Sequence, residues 1–524
     1  MTRVTDAWLV APVLVPLATA MALVLAGDRP GWKRMASLVS AAAQLALAAM
    51  LTGAAGRGAA LVHRFGDWPV PFGVVFVLDR LAALMLLTTA VLALAALLHA
   101  VRAREDEEGE HFHTLFQLQL AGLNGAFLTG DLFTLFVFFE VLLIASYGLL
   151  VHGATPARLR WGVHYVALNL VGSTLFLVAA GAMYGLLGTL NLADLAGRAA
   201  LLPAADAAPV HAAALLLLVV FALKAAVAPL HLWLPGTYAA AGTGVAALFA
   251  VMSKVGVYAT LRVFGVAFGP GAGTLAGVAA PWLFPAAVAT MAVGAVGALA
   301  AAAAGPGAVR RMLGSLLVLS VGTLAGAVAT LDVGGVGAGL YYLVHSTLAA
   351  GAMFLLAGHA PRDATSSARG AGEPPSAARG ALFLVGAVAL AGLPPLSGFV
   401  GKALILAAAP AGARGAWLWG AVLVSSFVAV VALARAGSAL FWERGGDTDV
   451  PGDTGDDGAV PAAVGASGVV RGPALFPAAG LLAALAALTL FAGPASTYAR
   501  AAAEQLLAPG GYARAVLSTP GGRR

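Results

Sequence analysis

One glutamate, three lysines and two histidines stand inside stretches of this sequence that are otherwise apolar: Glu140, Lys224, Lys254, Lys402, His231 and His345. An ionised side chain at such a place is expensive unless it is paired or hydrated. Of the 29 basic residues only four are lysine, and three of those four lie in the apolar stretches, Lys33 being the exception. Arginine never gives up its proton in a protein, whereas a buried lysine can. The choice of lysine at these three positions therefore points to sites whose proton must be able to leave. One glutamate against three lysines also leaves positive charge in excess. Desolvation and like-charge repulsion both disfavour the protonated amine, so at least one lysine is expected to be neutral part of the time. Charged and neutral amines in alternation, bridged by histidines and water, make a proton path.

The spacing gives depth. Asp131 suits a helix N-cap, and Glu140 follows nine residues later, about 13 Å further along a helix and near the middle of a ~30 Å hydrocarbon layer. It reads as a buried ionisable group of the path, or else as a counter-ion that only holds two helices together. Lys224 is followed by Pro229, whose ring clashes with the carbonyl of Ala225, so the helix is expected to break just after the lysine. His231 falls in the same break. Lys402 repeats the device in mirror order, with Pro394 and Pro395 ahead of it. Freed backbone at this depth is tolerated only where it is buried in protein or lines a wet cavity. Lys254 sits near the centre of its own stretch. A lone intramembrane histidine is more often a packing residue, and His164 is read so. His345, between the lysine clusters, is read as a member of the path, and His231 as an intermediate case.

These groups need a membrane-spanning scaffold. The chain of 524 residues is 61% hydrophobic and only 10% charged, with a mean hydropathy of +0.93. That leaves too little polar surface for a water-soluble domain, which carries about 25% charged residues. An all-α polytopic membrane protein of about fourteen helices follows. Among the expected spans are 74–98, 112–130, 132–151, 210–233, 243–266, 380–410 and 475–493. The fourth, 112–130, holds Gln117, Gln119 and Asn124 and is expected to lie among other helices. The first, with one basic residue ahead of it, is read as a span and not a cleaved signal. Broken spans 7 and 12, five helices apart, are a pointer to inverted repeats, although two unrelated proline kinks would look alike. The expected division is 1–111 (spans 1–3), 112–266 (first repeat, spans 4–8), 267–444 (second repeat, spans 9–13) and 445–524 (a flexible loop, span 14 and a tail).

The odd-numbered loops carry more basic residues than the even ones, Lys33, Arg102, Arg158, Arg310 and Arg362 among them. By the positive-inside rule both termini lie outside the cytoplasm. The acidic run Glu105 to Glu110 and the stretches Pro361 to Arg379 and Gly445 to Gly472 read as solvated loops, or less simply as docking surfaces for partner subunits. With no cysteine in the chain, disulfides, iron–sulfur clusters and thiolate metal sites are excluded. No metal site, cofactor or nucleic-acid signal is expected. Gly334 to Gly339 lacks the strand-then-helix setting of a nucleotide loop.

Two segments, Leu135-Phe-Val-Phe-Phe-Glu140-Val-Leu-Leu-Ile-Ala-Ser-Tyr147 and His164-Tyr-Val-Ala-Leu-Asn169, resemble the D subunit of the Mrp-type Na⁺/H⁺ antiporters. Leu223 to Ala240, Met252 to Arg262, Tyr341 to Gly358 and Gly392 to Lys402 look like the same protein, so the resemblance runs over roughly residues 75 to 440. The wider family includes antiporter-like membrane subunits of respiratory complex I and membrane-bound hydrogenases. The resemblance implies fourteen helices, inverted five-helix repeats and broken helices 7 and 12. It also implies a Glu140–Lys224 pair, Lys254 as central relay, His345 as connector and Lys402 as terminal site. It implies work within a hetero-oligomer of about seven different subunits in a bacterial inner membrane, exchanging Na⁺ or another monovalent cation for H⁺. Ser346, Thr347 and Ala350 stand where many relatives carry a further ionisable residue, which puts a second relay site on that helix in doubt. Two other readings remain: a proton-pumping subunit of a redox-driven complex, and a non-transporting scaffold.

Overall fold

A computed structural model describes residues 6–25, 27, 29–58, 60–305, 308–358, 377–441 and 475–518. The stretch 361–376, with Arg362, and the loop 445–472 lie outside the described residues.

The helices are α1 (Ala11–Leu25), α2 (Pro30–Ala55), α3 (Arg80–Arg102), α4 (Phe112–Leu128), α5 (Leu132–Val151), α6 (Pro156–Leu187), α7 (Leu192–Ala200), α8 (Ala207–Ala225), α9 (Trp233–Ala240), α10 (Thr243–Phe249) and α11 (Met252–Val266). They continue as α12 (Ala280–Ala303), α13 (Val309–Val328), α14 (Val333–Ala357), α15 (Ala377–Ala391), α16 (Ser397–Ala407), α17 (Ala413–Phe441), α18 (Phe476–Leu490), α19 (Ala492–Leu507) and α20 (Gly511–Leu517). Among the described residues ten helices are long and apolar enough to cross a membrane, or up to eleven if the bent pair α18–α19 counts as one span. The expected number, about fourteen, additionally takes in α1, α4 and the pair α15–α16, which are shorter.

Both expected breaks are present and in mirror order: α8 ends at Ala225, one residue after Lys224, and α16 begins at Ser397, five residues before Lys402. Span 8 is also interrupted, between α10 and α11. The expected third span begins too early. Val75–Leu78 is a strand (β2) paired antiparallel with Leu61–Arg64 (β1). Its β-branched and aromatic residues suit a pleated surface, and Asp79 then caps α3 by accepting from Ala82 N at 2.9 Å. Past span 14 the chain turns by 83° into α19, a helix whose one buried face (Ala499, Ala502, Ala503, Leu506) lies on α14 and α3.

α10–α11, α13 and α14 are buried almost throughout, and α2, α6, α12 and α17 turn most of their surface outward. As expected, α4 is internal. Its Gln117 accepts from Ser40 Oγ at 2.9 Å and donates to Ser37 Oγ at 2.9 Å, and Asn124 donates to the carbonyl of Pro12 at 2.7 Å. Buried amides satisfied in this way fix neighbouring helices against one another.

The acidic run is solvated only in part: Glu107 to Glu110 are exposed, whereas Glu105 and Asp106 are drawn inward. Glu105 is buried and accepts from the amides of Thr243 (3.0 Å) and Gly244 (2.9 Å) at the start of α10. Asp106 takes Arg34 Nε at 2.6 Å and lies 3.2 Å from His113 Nε2. Glu107 pairs with Arg34 and Arg104, and Glu108 takes Arg158 Nη1 at 2.5 Å. Arg158 also donates to the carbonyl of His152, and Arg310 donates to the carbonyl of Ala241. Residues at the first, third, fifth, seventh and ninth loops thus meet in one ionic hub, so these five loops share one face. Short apolar-flanked runs of charge usually stay solvated. This one is held because backbone amides and arginines from four other segments converge on it.

Candidate functional site

The two broken helices hold their lysines differently: Lys224 is received by α6 and Lys402 by the carbonyl that its own break releases. α8 closes with Ala226 in the left-handed region (φ +59°). The carbonyl of Leu223 then accepts from Trp233 Nε1 at 3.1 Å, and the amide of Ala228 reaches Thr290 Oγ1 at 2.9 Å. Two backbone groups at the break, Leu223 O and Ala228 N, are therefore satisfied by side chains. Lys224 is 5% exposed. Its Nζ makes three long contacts, to Asn169 O and Oδ1 (both 3.4 Å) and to Ser173 Oγ (3.3 Å), and stands 5.9 Å above the ring of Phe139. The Asn169 amide nitrogen is committed to Tyr165 O at 2.9 Å, which leaves its oxygen for the amine.

Glu140 and Lys224 do not form an ion pair within 4.0 Å, although the carboxylate is within electrostatic reach of the amine. Glu140 is half-buried, and its Oε1 has no hydrogen-bond partner. Val137 and Ile144, one turn to either side, are exposed. Glu140 thus stands at the edge of an outward-facing stripe of α5, with its Oε1 buried. His231 sits in the break with Nδ1 buried and unpartnered, and Pro229 is exposed.

On the buried axis of the molecule, Lys254 is 0% exposed, and its Nζ donates to Ser320 Oγ of α13 at 3.2 Å. Backbones pack without gap beside it: a Cβ on Gly256 would fall 2.4 Å from Ala225 N, so α11 lies against the very end of α8. His345, on α14, is held by Ser397 Oγ at 2.9 Å from Nδ1. It is within electrostatic reach of both Lys402 and Lys254. Ser397 is the first residue of α16. A Cβ on its neighbour Gly398 would meet Ala389 O at 2.2 Å and His345 Nε2 at 2.8 Å, so only glycine lets α16 start here. Lys402 Nζ donates to Ala391 O at 2.7 Å and to Ser426 Oγ at 2.8 Å. Ala391 is the last residue of α15, so the break itself releases the carbonyl that receives the lysine. Gly392 has φ +81° and would place a Cβ 2.7 Å from Lys402 Cδ, two independent demands for glycine. Pro394 and Pro395 are exposed.

The structure therefore brings Lys254, His345 and Lys402 into one buried line and sets Glu140 and Lys224 at its other end, joined through the packed backbones of α8 and α11. His164 is exposed and stacks edge-on with Trp161, as a packing residue does. Chemically, each lysine is surrounded by hydroxyls and carbonyls, which accept from the charged amine, and none by a carboxylate in contact. Among the described residues no group of three or more His, Cys, Asp or Glu is placed to hold a metal ion.

Sequence reasoning missed the partners: Ser173, Ser320, Ser397 and Ser426. A serine in an apolar span gives no signal of its own. It also missed a fully buried pair, Asp79 and Arg262. An arginine late in an apolar span, and an aspartate just ahead of another, were the available signs.

Residues 129–429 match the family model described as NADH:quinone oxidoreductase/Mrp antiporter, transmembrane. The chain is 40% identical to the D subunit of a probable K⁺/H⁺ antiporter of Rhizobium meliloti (strain 1021), over 99% of each chain. It is 33% identical to the D subunit of the Na⁺/H⁺ antiporter of Bacillus subtilis (strain 168), over 97% of this chain and 99% of the other. In structure it is similar to a chain of the Mrp complex of Dietzia sp. DQ12-45-1b, with a TM-score of 0.82, 28% identity and 98% and 99% coverage. It is also similar to a chain of respiratory complex I from Thermus thermophilus, with a TM-score of 0.73, 27% identity and 95% and 99% coverage.

Proposed function

Because this chain belongs to the NADH:quinone oxidoreductase/Mrp antiporter membrane family, we propose that it is the proton-conducting subunit of a multisubunit monovalent cation/H⁺ antiporter. The observation that carries the reading is the state of the three lysines. All are at least nine-tenths buried, and all are held by neutral oxygen atoms. A buried amine so placed is free to lose its proton, because no carboxylate in contact holds it charged. Glu140, Lys224, Lys254, His345 and Lys402 carry the proton in that order, with His231 as a side member at the first break. Na⁺ and K⁺ are both candidate cargoes, since relatives are named for each. The protein is a secondary transporter subunit and not an enzyme. The alternative, a proton-pumping subunit of a redox-driven complex, draws on the likeness to complex I. The antiporter relatives, aligned end to end, favour the first reading.

The two five-helix repeats, 112–266 and 267–444, are supported by like packing in each. α4 packs on α5 as α12 does on α13, α6 on α8 as α14 does on α15 and α16, and α4 on α11 as α12 does on α17. Partner subunits are supported by Glu140 itself. A half-exposed ionisable residue beside an outward stripe at mid-membrane depth is costly against lipid, so another chain of the complex, about seven subunits in all by resemblance to Mrp antiporters, covers that face of α5. The loop charges support a topology with both termini outside the cytoplasm of a bacterial inner membrane and the ionic hub on the cytoplasmic face.

The test is exchange in everted vesicles carrying the whole complex, read as fluorescence dequenching on adding Na⁺ or K⁺. Glu140→Ala and Lys224→Ala variants that assemble but no longer exchange support the reading. Undiminished exchange in both would make these charges structural and place the proton path elsewhere.

A further inference from the structure

Arg262 lies eight residues beyond Lys254 on the same helix, about 12 Å along the axis. It is 1% exposed, and Asp79 is 3% exposed. The two pair through both carboxylate oxygens, Nη1 with Oδ2 and Nη2 with Oδ1 at 2.8 Å. Arg262 Nε donates to Tyr258 OH at 3.0 Å, and that hydroxyl donates to Phe127 O at 2.6 Å. The guanidinium also lies over the rings of Tyr258 (5.3 Å) and Tyr512 (5.4 Å). Nothing in the proton path uses this cluster.

An arginine stays charged at any working pH. Its field acts along the buried helix on the amine of Lys254, where screening by water is weak. Left alone, Arg262 would oppose protonation of Lys254. Asp79 cancels that field. Burial pushes the Asp79 carboxyl up, but the charge and hydrogen bonds of Arg262 outweigh it and hold it below the usual carboxylate range, so the cancellation persists through the physiological range. We infer that Asp79 is a positioning residue for the Lys254 step: it neutralises Arg262 and so sets the pH range in which Lys254 can both take and give a proton.

The other ionisable groups on elements packed against α11 are His211 and Lys224 on α8, His113 on α4, Asp194 and Arg198 on α7, Arg310 and Arg311 on α13, and Tyr498, Arg500 and Glu504 on α19. All are unchanged in the variants below. The inference rests on the proposed role of Lys254, and Lys254→Ala tests that role separately.

The experiment measures cation-driven exchange by the assembled complex in everted vesicles over a pH series. Asp79→Asn keeps the shape and leaves Arg262 uncompensated, so the active window moves toward acid by about one pH unit at a 12 Å separation and an effective dielectric near 20. Arg262→Gln leaves Asp79 uncompensated, and the window moves toward alkali by a similar amount. The double variant Asp79→Asn with Arg262→Gln returns the window to its original place. A pair that only braced the fold would lower the maximal rate in all three and displace none. Shifts in the same direction, or no shift, overturn the inference. Should one neutralised variant fail to assemble, the other decides together with the double variant: a window displaced in the single and restored in the double supports the inference, and an unmoved window in the single overturns it. If Lys254→Ala exchanges normally, it is the proton path that fails, and the window test has lost its premise.

Discussion

The hub at the odd-numbered loops and the line of lysines at mid-membrane hold charged groups in opposite ways. In the hub, Arg34, Arg158 and Arg104 each meet a carboxylate, and the backbone amides left over go to Glu105. Along the line, Lys224, Lys254 and Lys402 meet only serines, an asparagine and backbone carbonyls. Arginine in the first region and lysine in the second follow the same division. A charge that is paired and permanent fixes geometry. A charge without a contacting counter-ion, on a group that can be neutral, is poised to change. The difference separates the parts of the molecule that hold from the part that works.

The sharpest way to break this comparison is to exchange the cation types. Lys254→Arg keeps a positive charge beside Ser320 but cannot release its proton. Exchange is expected to fall by at least ~100-fold, the usual scale for a lost proton-transfer group, in complexes that assemble normally. Retained exchange would mean that Lys254 supplies charge and nothing more. In the hub the opposite holds. Arg158→Ala strands the Glu108 carboxylate and the carbonyls of His152 and Ala240. Glu108 is open to water, so the cost comes mainly from the two carbonyls that lose a charged donor, about 1–3 kcal/mol, seen as a lower unfolding temperature and a smaller yield of complex. The pH window of whatever assembles should not move.

A smaller effect sharpens the claim that the second break is built around its lysine. Gly392 and Gly412 both have left-handed backbones, φ +81° and +88°, but only Gly392 has Lys402 against it, and Gly412 has nothing within 4 Å. Alanine at Gly412 is expected to cost about 1–2 kcal/mol of backbone strain and to leave exchange untouched. Alanine at Gly392 adds a displaced amine to the same strain, so exchange falls even where the complex is stable. Equal behaviour of the two variants would remove the break from the mechanism.

The line was more legible in the sequence than the hub, for a physical reason. Lysine, glutamate and proline are rare in apolar spans because they are costly there, so Lys224, Lys254, Lys402, Glu140, Pro229 and Pro394 stood out one by one. Their depth followed from helix rise alone. The hub gave no such sign, since charges in a loop are cheap and Glu105 to Glu110 looked like any solvated run. What fixes it is convergence of five loops distant in sequence, which no local pattern encodes. The same limit hid Ser320 and Ser426, ordinary residues made important by a neighbour on another helix. It also hid the strand at Val75–Leu78, whose apolar run is ambiguous between strand and buried helix until β1 is placed beside it.

Within the hub two carboxylates are shifted in opposite directions, and this gives the smallest expected effect. Burial pushes the Asp106 carboxyl up, but hydrogen bonds from His113 and Arg34 outweigh it and hold it below its ordinary value. Its contribution to stability is therefore complete above about pH 4, the unfolded value, and is lost as pH falls through the lowered folded value. Burial pushes Glu105 up, more than the amides of Gly244 and Thr243 pull it down. Its contribution has the opposite sign: complete below about pH 4.3 and lost as pH rises through the raised folded value. Asp106→Asn should thus cost about 1 kcal/mol at neutral pH, a modest figure because Arg34 is 27% exposed and water screens the pair. It should also flatten the acid limb of the unfolding-temperature curve. Glu105→Gln should flatten the curve on the other side, between its ordinary carboxylate value and neutrality, while keeping one acceptor for the amides of α10. Unfolding temperatures of the two variants across pH 3–7 check both signs. Parallel curves for variant and parent would mean that these carboxylates are not the groups that make hub stability depend on pH.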